Sequence, residues 1–472
     1  MRRLLIAVAA VLALGAPPAL AAPAFPLEGS GRWLVDAQGR TVILHGVNMV
    51  AKRPPYAPDA LGFGADDARF LAANGFNTVR LGVIYAAVEP QPGIYDDAYL
   101  DRIERTVDQL GREGIAVLLD FHQDLYSERF QGEGWPDWAV IDDGLPAEPR
   151  NGFPANYVGM PALNRAFDRF WENAPGPGGV GLQDRYAAAW RHVAARFGDH
   201  PAMLGYDVLN EPWPGSAWQS CAQADGCPAF DAVLGAFYDR VTAAIRTVDP
   251  TTLVFYSPNV LGNAGVRSHL PARADRHTAL SFHDYCAADL ETCRPIDDQV
   301  FRFAAGLAAR SDDPLLLTEF GATDDAAVLD DMADRADRFM VGWQEWHYCG
   351  CDDPTTTGPG DEQALVLDPA RPPRGANLKQ PTLDTLARAY PQVVAGTPIA
   401  YGFDRATRRM TLRYRPARGV TEIATPRRQY PRGYRVTVRG ARVRSRANAN
   451  VLRLVARPRA REVRVSVTPR RR

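Results

Sequence analysis

The sequence predicts an α/β chain, a (β/α)8 TIM barrel followed by a C-terminal antiparallel β-sandwich domain. Three observations lead there. Eight short apolar runs recur between residues 42 and 347, mostly separated by amphipathic helical stretches. Beyond about residue 396 the helical periodicity gives way to two-residue alternation. At 472 residues and 46% hydrophobic content, the chain also exceeds the size one core usually serves, so two domains are expected.

Residues 1–22 read as a secretory signal. Arg2 and Arg3 precede the apolar run Leu4 to Leu14, and Ala19-Leu20-Ala21 supplies a small-residue cleavage site. That run is too short to span a bilayer, and no later stretch approaches twenty uninterrupted apolar residues. The expectation is a secreted, extracellular protein that can remain at the cell surface.

The barrel domain is expected over residues 26–392. It opens with a hairpin: Trp33 to Val35 and Thr41 to Leu44 are apolar, and Asp36-Ala37-Gln38-Gly39 makes the turn. The eight runs are Val42–Val47, Thr78–Gly82, Ile115–Asp120, Met203–Leu209, Thr252–Tyr256, Ala279–His283, Leu315–Glu319 and Val341–His347. Helical stretches between them include Ala98–Arg112, Asp184–Phe197, Phe230–Val248 and Asp324–Phe339. A long insertion at about 121–183 breaks the rhythm, and loops of that length in a compact domain are usually functional. Residues 396–472 form the second domain, from runs such as MTLRYR, GYRVTVRG, NVLRLVAR and REVRVSVT.

A net charge of −1 conceals an asymmetry. From residue 396 onward there are 22 Arg, no Lys and three acids, Asp404, Glu422 and Glu462. This domain therefore carries +19 and the remainder −20. Arg is the default base of this chain, since Lys appears only at 52 and 379, but that does not explain the scarcity of acids. An anionic membrane surface or a sialylated glycan is the expected partner. Nucleic acid is not expected, because no recognition motif accompanies the charge.

Six cysteines fall as close pairs, Cys221/Cys227, Cys286/Cys293 and Cys349/Cys351, which fits an oxidising destination. Local bridges are the simplest of the fifteen pairings that six cysteines allow, with Cys349/Cys351 the tightest. No histidine recurs beside them at zinc-ligand spacing, so neither a metal nor another cofactor is expected.

In a parallel barrel the C-terminal strand ends build the active site. Strand four ends in Asn210-Glu211 and strand seven in Glu319. Strand three runs into His122 and Asp124, strand six into His283 and Tyr285, and strand eight into Trp346, while strand two carries Arg80. Two carboxylates converging from different strands on one pocket are what glycoside hydrolysis requires, one as proton donor and one as nucleophile or base.

The pairing of DVLNEPW with LLTEFG in an eightfold barrel resembles the clan A glycoside hydrolases, family five, as does the hairpin GRWLVDAQGRTVILHGVN. Within that family, NMVAKRPPY, GFNTVRLGVIYAAVEPQPGIYDDAYL, DFHQDLYS and GWPDWAV look like the endoglycoceramidases, which cut between a glycan and ceramide. The likeness covers roughly residues 26 to 395, and the β-sandwich tail also matches. It implies Glu211 as acid/base and Glu319 as nucleophile of a retaining mechanism. It implies that Asn210 binds the sugar 2-hydroxyl, that Arg80 and Tyr285 hold Glu319 ionised, and that His283 supports the site. Lys52, His122 and Asp124 would take outer sugar hydroxyls, with Trp346 as the apolar floor.

Plainer readings stand beside these. A lone strand-end Glu is more often a surface carboxylate, Arg80 could be only a barrel ion pair, and His122 and His283 could be core histidines satisfied by backbone. Lys52 could be a solvated loop lysine. Glu211 is expected to stay protonated through partial desolvation and a nearby ionised Glu319. Trp135, Trp138, Phe153, Tyr157, Phe167, Phe170 and Trp171 of the insertion are expected to line a ceramide slot, the plainer alternative being that they pack the insertion on itself. Two other functions remain open. One is an endo-β-1,4-glucanase or β-glucosidase/glucosylceramidase of the same family. The other is a non-catalytic glycolipid-binding protein.

Overall fold

The structure is a computed structural model and describes residues 23–286, 288–356 and 361–470. The expected signal segment lies outside these residues. Eight parallel strands close into a barrel: His45–Met49, Thr78–Val83, Ala116–Phe121, Met203–Asp207, Leu253–Tyr256, Thr278–Asp284, Leu315–Phe320 and Gly342–Glu345. Closure is direct, with Trp343 of the eighth strand opposite His45 of the first. Every residue of these strands is buried, being covered by the barrel interior on one side and by helices on the other. Gly46 is required where the first two strands meet, since a Cβ there would lie 2.0 Å from the Thr78 carbonyl oxygen.

Helices Asp97–Arg112, Leu182–Phe197, Pro228–Arg246, Leu290–Ser311 and Ala326–Phe339 cover the barrel. Three start at aspartates, Asp96, Asp289 and Asp325, whose carboxylates accept from the backbone N–H groups of Tyr99, Thr292 and Ala327. Among the described residues no helix is long and apolar enough to cross a membrane.

The first expected run, Val42–Val47, serves two elements. Thr41–Val42 belongs to a separate sheet, and the barrel strand begins only at His45. Ile43 packs in the C-terminal core and Leu44 beneath the barrel, so an unbroken apolar run hides the change of sheet.

The C-terminal strands form two sheets. Gly396–Asp404, Arg409–Pro416, Val463–Pro469 and Tyr434–Arg439 make a four-stranded antiparallel sheet in that order. It packs through Tyr401, Phe403, Leu412, Tyr414 and Val465 onto the second sheet's Ile423, Leu452 and Leu454. That second sheet has seven strands and takes in the N-terminal hairpin: Thr41 pairs with Val394 of Tyr390–Val394, which in turn pairs with Val420–Ala424. The sequence groups this hairpin with the barrel by position, whereas its hydrogen bonds run to the C-terminal domain. All three close cysteine pairs are bridged, Cys221–Cys227, Cys286–Cys293 and Cys349–Cys351.

Candidate active site

Glu211 and Glu319 meet at the C-terminal mouth of the barrel, with an oxygen of each within 4.8 Å of the other. The local chain explains their presentation. Strand four ends at Asp207, and the buried Val208 carbonyl is held by the Tyr186 hydroxyl and the Trp190 indole N–H. Glu211 then takes a left-handed backbone, φ 44°, which turns its side chain into the mouth. Gln123 Nε2 donates to the carbonyls of both Asn210 and Glu211, at 2.9 and 3.1 Å, and so clamps that turn.

Arg80, fully buried, organises the floor. It reaches Asp120 at 2.9 Å, Asp207 at 2.9 Å and Glu319 Oε1 at 2.5 Å, and it donates to Asn210 Oδ1 at 2.9 Å. The Tyr285 hydroxyl donates to Glu319 Oε2 at 3.1 Å. His283 stands between the glutamates, its Nδ1 2.9 Å from Glu211 Oε1 and 3.4 Å from Glu319 Oε2. It is therefore not a core histidine satisfied by backbone. Burial pulls its imidazole down to about 4, so it is neutral at pH 7, and the Nδ1–H tautomer offers a donor to either carboxylate.

Burial is the main cause that raises Glu211 to about 7, and the charge of Asp124 adds to it. Glu319, the neighbouring carboxylate that the sequence expectation named, lies within 4.8 Å and interacts with Glu211, and the acid on the loop after strand three acts beside it. Burial also raises Glu319, while His283 and Arg80 oppose the rise. With Arg80 and Tyr285 both donating to it, Glu319 is the member of the pair that is kept ionised.

A second cluster lies across the mouth. Lys52 Nζ is 2.6 Å from Asp124 Oδ2, 2.8 Å from Thr355 Oγ1 and 3.2 Å from Asp353, and it sits 4.5 Å above the Trp346 ring. Burial works against its charge, but Asp124, Asp353 and Glu133 hold it above the ordinary lysine range. Lys52 is thus no solvated loop residue. Burial likewise opposes protonation of His122, yet Asp120, 2.7 Å from its Nδ1, raises it to about 10. His122 stacks on Trp346 with ring centroids 5.2 Å apart. Oxygens and nitrogens of His122, Asp124 and Glu133 are close enough to hold a metal ion, but the Lys52 ammonium already sits among these acids and supplies the positive charge.

A cleft of about 490 Å³ joins the two clusters. Lys52, His122, Asp124, Trp346, Thr355 and Gln363 enter it from strands eight, one and three. Val260, Ala288 and Ala322 enter from the segments after strands five, six and seven, and Val328 from the first turn of helix Ala326–Phe339. One flank is charged and hydroxyl-rich, the other mixes these apolar side chains with Asn263, Tyr285, Thr323 and Asp325, and the two glutamates lie in the same cleft. The aromatic slot expected of the insertion is not there. Trp135, Tyr157, Phe167 and Phe170 are buried against one another and Tyr126, Trp138 and Trp171 pack partly buried on the same core, and only Phe153 lines the cleft. Stacking among themselves buries more aromatic surface than facing an open cleft would.

Sequence reasoning missed Asn263, whose Nδ2 donates to Glu211 Oε1 at 2.6 Å. It lies in the loop after strand five with no motif around it. Asp353 and Thr355 were missed as well, because only the fold brings their loop to Lys52 across some three hundred residues.

Residues 35–349 match the cellulase family, glycosyl hydrolase family 5, and residues 388–468 match the glycoside hydrolase family 5 C-terminal domain. Endoglycoceramidase I of Rhodococcus hoagii (strain 103S) is 36% identical over 456 residues, 92% of this chain and 87% of that protein. The endoglycoceramidase of Cyanea nozakii is 29% identical over 413 residues, 81% of this chain and 79% of that protein. Among solved structures, endo-glycoceramidase II from Rhodococcus sp. as a lactosyl-enzyme intermediate aligns with a TM-score of 0.77 at 32% identity, covering 92% of this chain and 99% of that one. The same enzyme in its ganglioside GM3 complex gives 0.76 at 31%, covering 94% and 100%. With the match spanning the barrel and its paired glutamates, the chain is a glycoside hydrolase and belongs to glycosyl hydrolase family 5.

Proposed function

We propose that the protein is a retaining endo-β-glycosidase that hydrolyses the bond between the glycan and ceramide of glycosphingolipids. One observation carries this reading: Glu211 and Glu319, with oxygens within 4.8 Å, lie in one cleft that has a charged, hydroxyl-rich cluster around Lys52 and also the apolar side chains Val260, Ala288, Ala322 and Val328. Retaining glycosidases hold their carboxyl groups about 5–5.5 Å apart, whereas inverting ones need about 6.5–9.5 Å to admit a water. The endoglycoceramidase relatives support the substrate class.

In the first step Glu319 attacks the anomeric carbon while the bond to the ceramide oxygen breaks. Glu211 gives its proton to that oxygen, and ceramide leaves as an alcohol. Glu211, now a carboxylate, then takes a proton from water as the water oxygen attacks the same carbon. The ester to Glu319 breaks, and the sugar is released with its original configuration. Asn210 hydrogen-bonds the 2-hydroxyl, and Arg80, Tyr285 and His283 orient the glutamates. Lys52, His122 and Asp124 take hydroxyls of the sugar lying on Trp346. Ceramide takes the flank of Val260, Ala288, Ala322 and Val328.

The reading extends to an exported enzyme held near anionic membranes or sialylated headgroups. Its support is the segment Arg2-Arg3 to Ala21 and the +19 charge from residue 396 onward.

Incubation with a glycosphingolipid in detergent and with soluble β-glucan, products identified by mass, tests the reaction. Ceramide plus an intact oligosaccharide is expected. Glucan cleavage without ceramide release would establish the glucanase alternative, and stepwise loss of single sugars an exo-glycosidase. Glycolipid binding without turnover would leave a binding protein.

A further inference from the structure

The outward face of the four-stranded C-terminal sheet carries its side chains in rows. Arg413, Arg464 and Arg439 stand directly opposite one another across three adjacent strands. The next row is Thr411, Ser466 and Thr437, all hydroxyls. Beyond it Arg435 faces Thr468, and Arg409 Nε donates to Ser466 Oγ at 3.1 Å. A shallow depression of about 280 Å³ lies over these rows. Like charges directly opposite on neighbouring strands destabilise a sheet, so the arrangement costs the fold something. Glu462 relieves part of it, its Oε1 accepting from Arg413 Nε at 3.0 Å and Arg464 Nε at 2.6 Å, yet those guanidinium side chains remain 48% and 59% exposed. Arg415, Arg435 and Arg439 form no salt bridge with any described residue.

We infer that this face is a docking surface for an anionic lipid bilayer, its hydroxyl row and flanking arginine rows taking lipid phosphates. The chemistry favours a membrane over a single glycan. Cations spread over neighbouring strands spaced about 4.8 Å match a plane of headgroups, and arginine forks suit phosphate oxygens. The lining side chains that point outward, Ala400, Arg409, Thr411, Arg413, Thr437, Arg439, Arg464 and Ser466, include no aromatic ring on which a sugar could stack. The surface deepens the proposed activity by giving the enzyme a hold on the sheet of lipid in which its substrate lies, but binding itself does not depend on what is cleaved.

The test uses the full chain and vesicles free of glycosphingolipid. Wild type should sediment with phosphatidylcholine vesicles containing phosphatidylserine, not with phosphatidylcholine alone, and salt should release it. Replacing Arg413, Arg439 and Arg464 together by Gln should weaken this binding roughly a hundredfold, from about 1 kcal/mol per basic side chain at an anionic surface. A control triple, Arg427→Gln, Arg446→Gln and Arg459→Gln, has the same net charge and should bind within about twofold of wild type. Both variants should melt no lower than wild type and hydrolyse a soluble aryl glycoside as wild type does. Equal losses in the two triples would mean that net charge alone binds, and the inference fails. It fails also if the first triple binds normally, or if wild type ignores the anionic vesicles but is retained on immobilised sialyl-oligosaccharide. None of these results bears on glycosphingolipid cleavage, which is read separately in detergent.

Discussion

Asn263 Nδ2 stands 2.6 Å from Oε1 of Glu211, the same oxygen that His283 Nδ1 approaches at 2.9 Å. With Oε1 engaged by two donors, the catalytic proton belongs on Oε2, which is left to face the leaving group. Asn263→Ala removes one donor that favours the carboxylate, so the acid should become weaker. The basic limb of the kcat/KM profile should move up by about half to one pH unit, the equivalent of about 1 kcal/mol. An unmoved limb would show that Asn263 does not act on Glu211.

Because Glu211 must be protonated in the free enzyme and its carboxyl lies at about 7, wild-type kcat/KM should fall as pH rises through about 7. A profile flat to pH 9 would remove Glu211 as the acid.

Glu211→Ala should cost about 10²–10⁴-fold on glycolipid, whose alkoxide needs a proton, and far less for glycosylation by an aryl glycoside with an acidic phenol. Glu319→Gln should abolish turnover of both. Mass spectrometry of wild type trapped on a slow substrate should show the sugar esterified to Glu319.

Among the apolar side chains of the cleft, Val260→Asp or Val328→Asp should lower kcat/KM for glycosphingolipid by about tenfold, the effect of withdrawing roughly 1.5 kcal/mol of side-chain burial. Hydrolysis of a short aryl glycoside should stay within about twofold. Equal losses on both substrates would place the ceramide elsewhere.

Arg80→Met leaves Asp207 and Glu319 buried without the cation that pairs them, with only His122 beside Asp120, and should destabilise the protein by about 3–5 kcal/mol. Burial raises the Asp207 and Glu319 carboxyls and Arg80 opposes the rise, so without Arg80 their cost grows as pH rises past about 4 and is relieved on acidification. Urea unfolding at about pH 5 should therefore show a smaller deficit than at about pH 8.

The barrel was legible because eight apolar runs and their intervening helices are local patterns. Glu211 and Glu319 were legible because each closes such a run beside Asn210-Glu211-Pro212 or Thr318-Glu319-Phe320-Gly321. What the sequence could not supply are relations across space. Phe167 and Phe170 have the same composition whether they line a slot or plug a core, and only the presence of Trp135 and Tyr126 against them decides. That the charge of Asp124 adds to burial in weakening Glu211 as an acid depends on how the fold brings together loops of different strands. Asn263 carries no periodic or motif signal at all.

The sheet that pairs Thr41 with Val394, and anchors the Thr41 hydroxyl on the Gly396 carbonyl at 3.0 Å, ties the opening hairpin to strands synthesised some 350 residues later. During translation that hairpin must wait, an unfilled edge, until nearly the whole polypeptide has left the ribosome. The arginine-bearing module is consequently a clasp for the amino-terminal region, and trimming it away would free the beginning of the chain as well as its end.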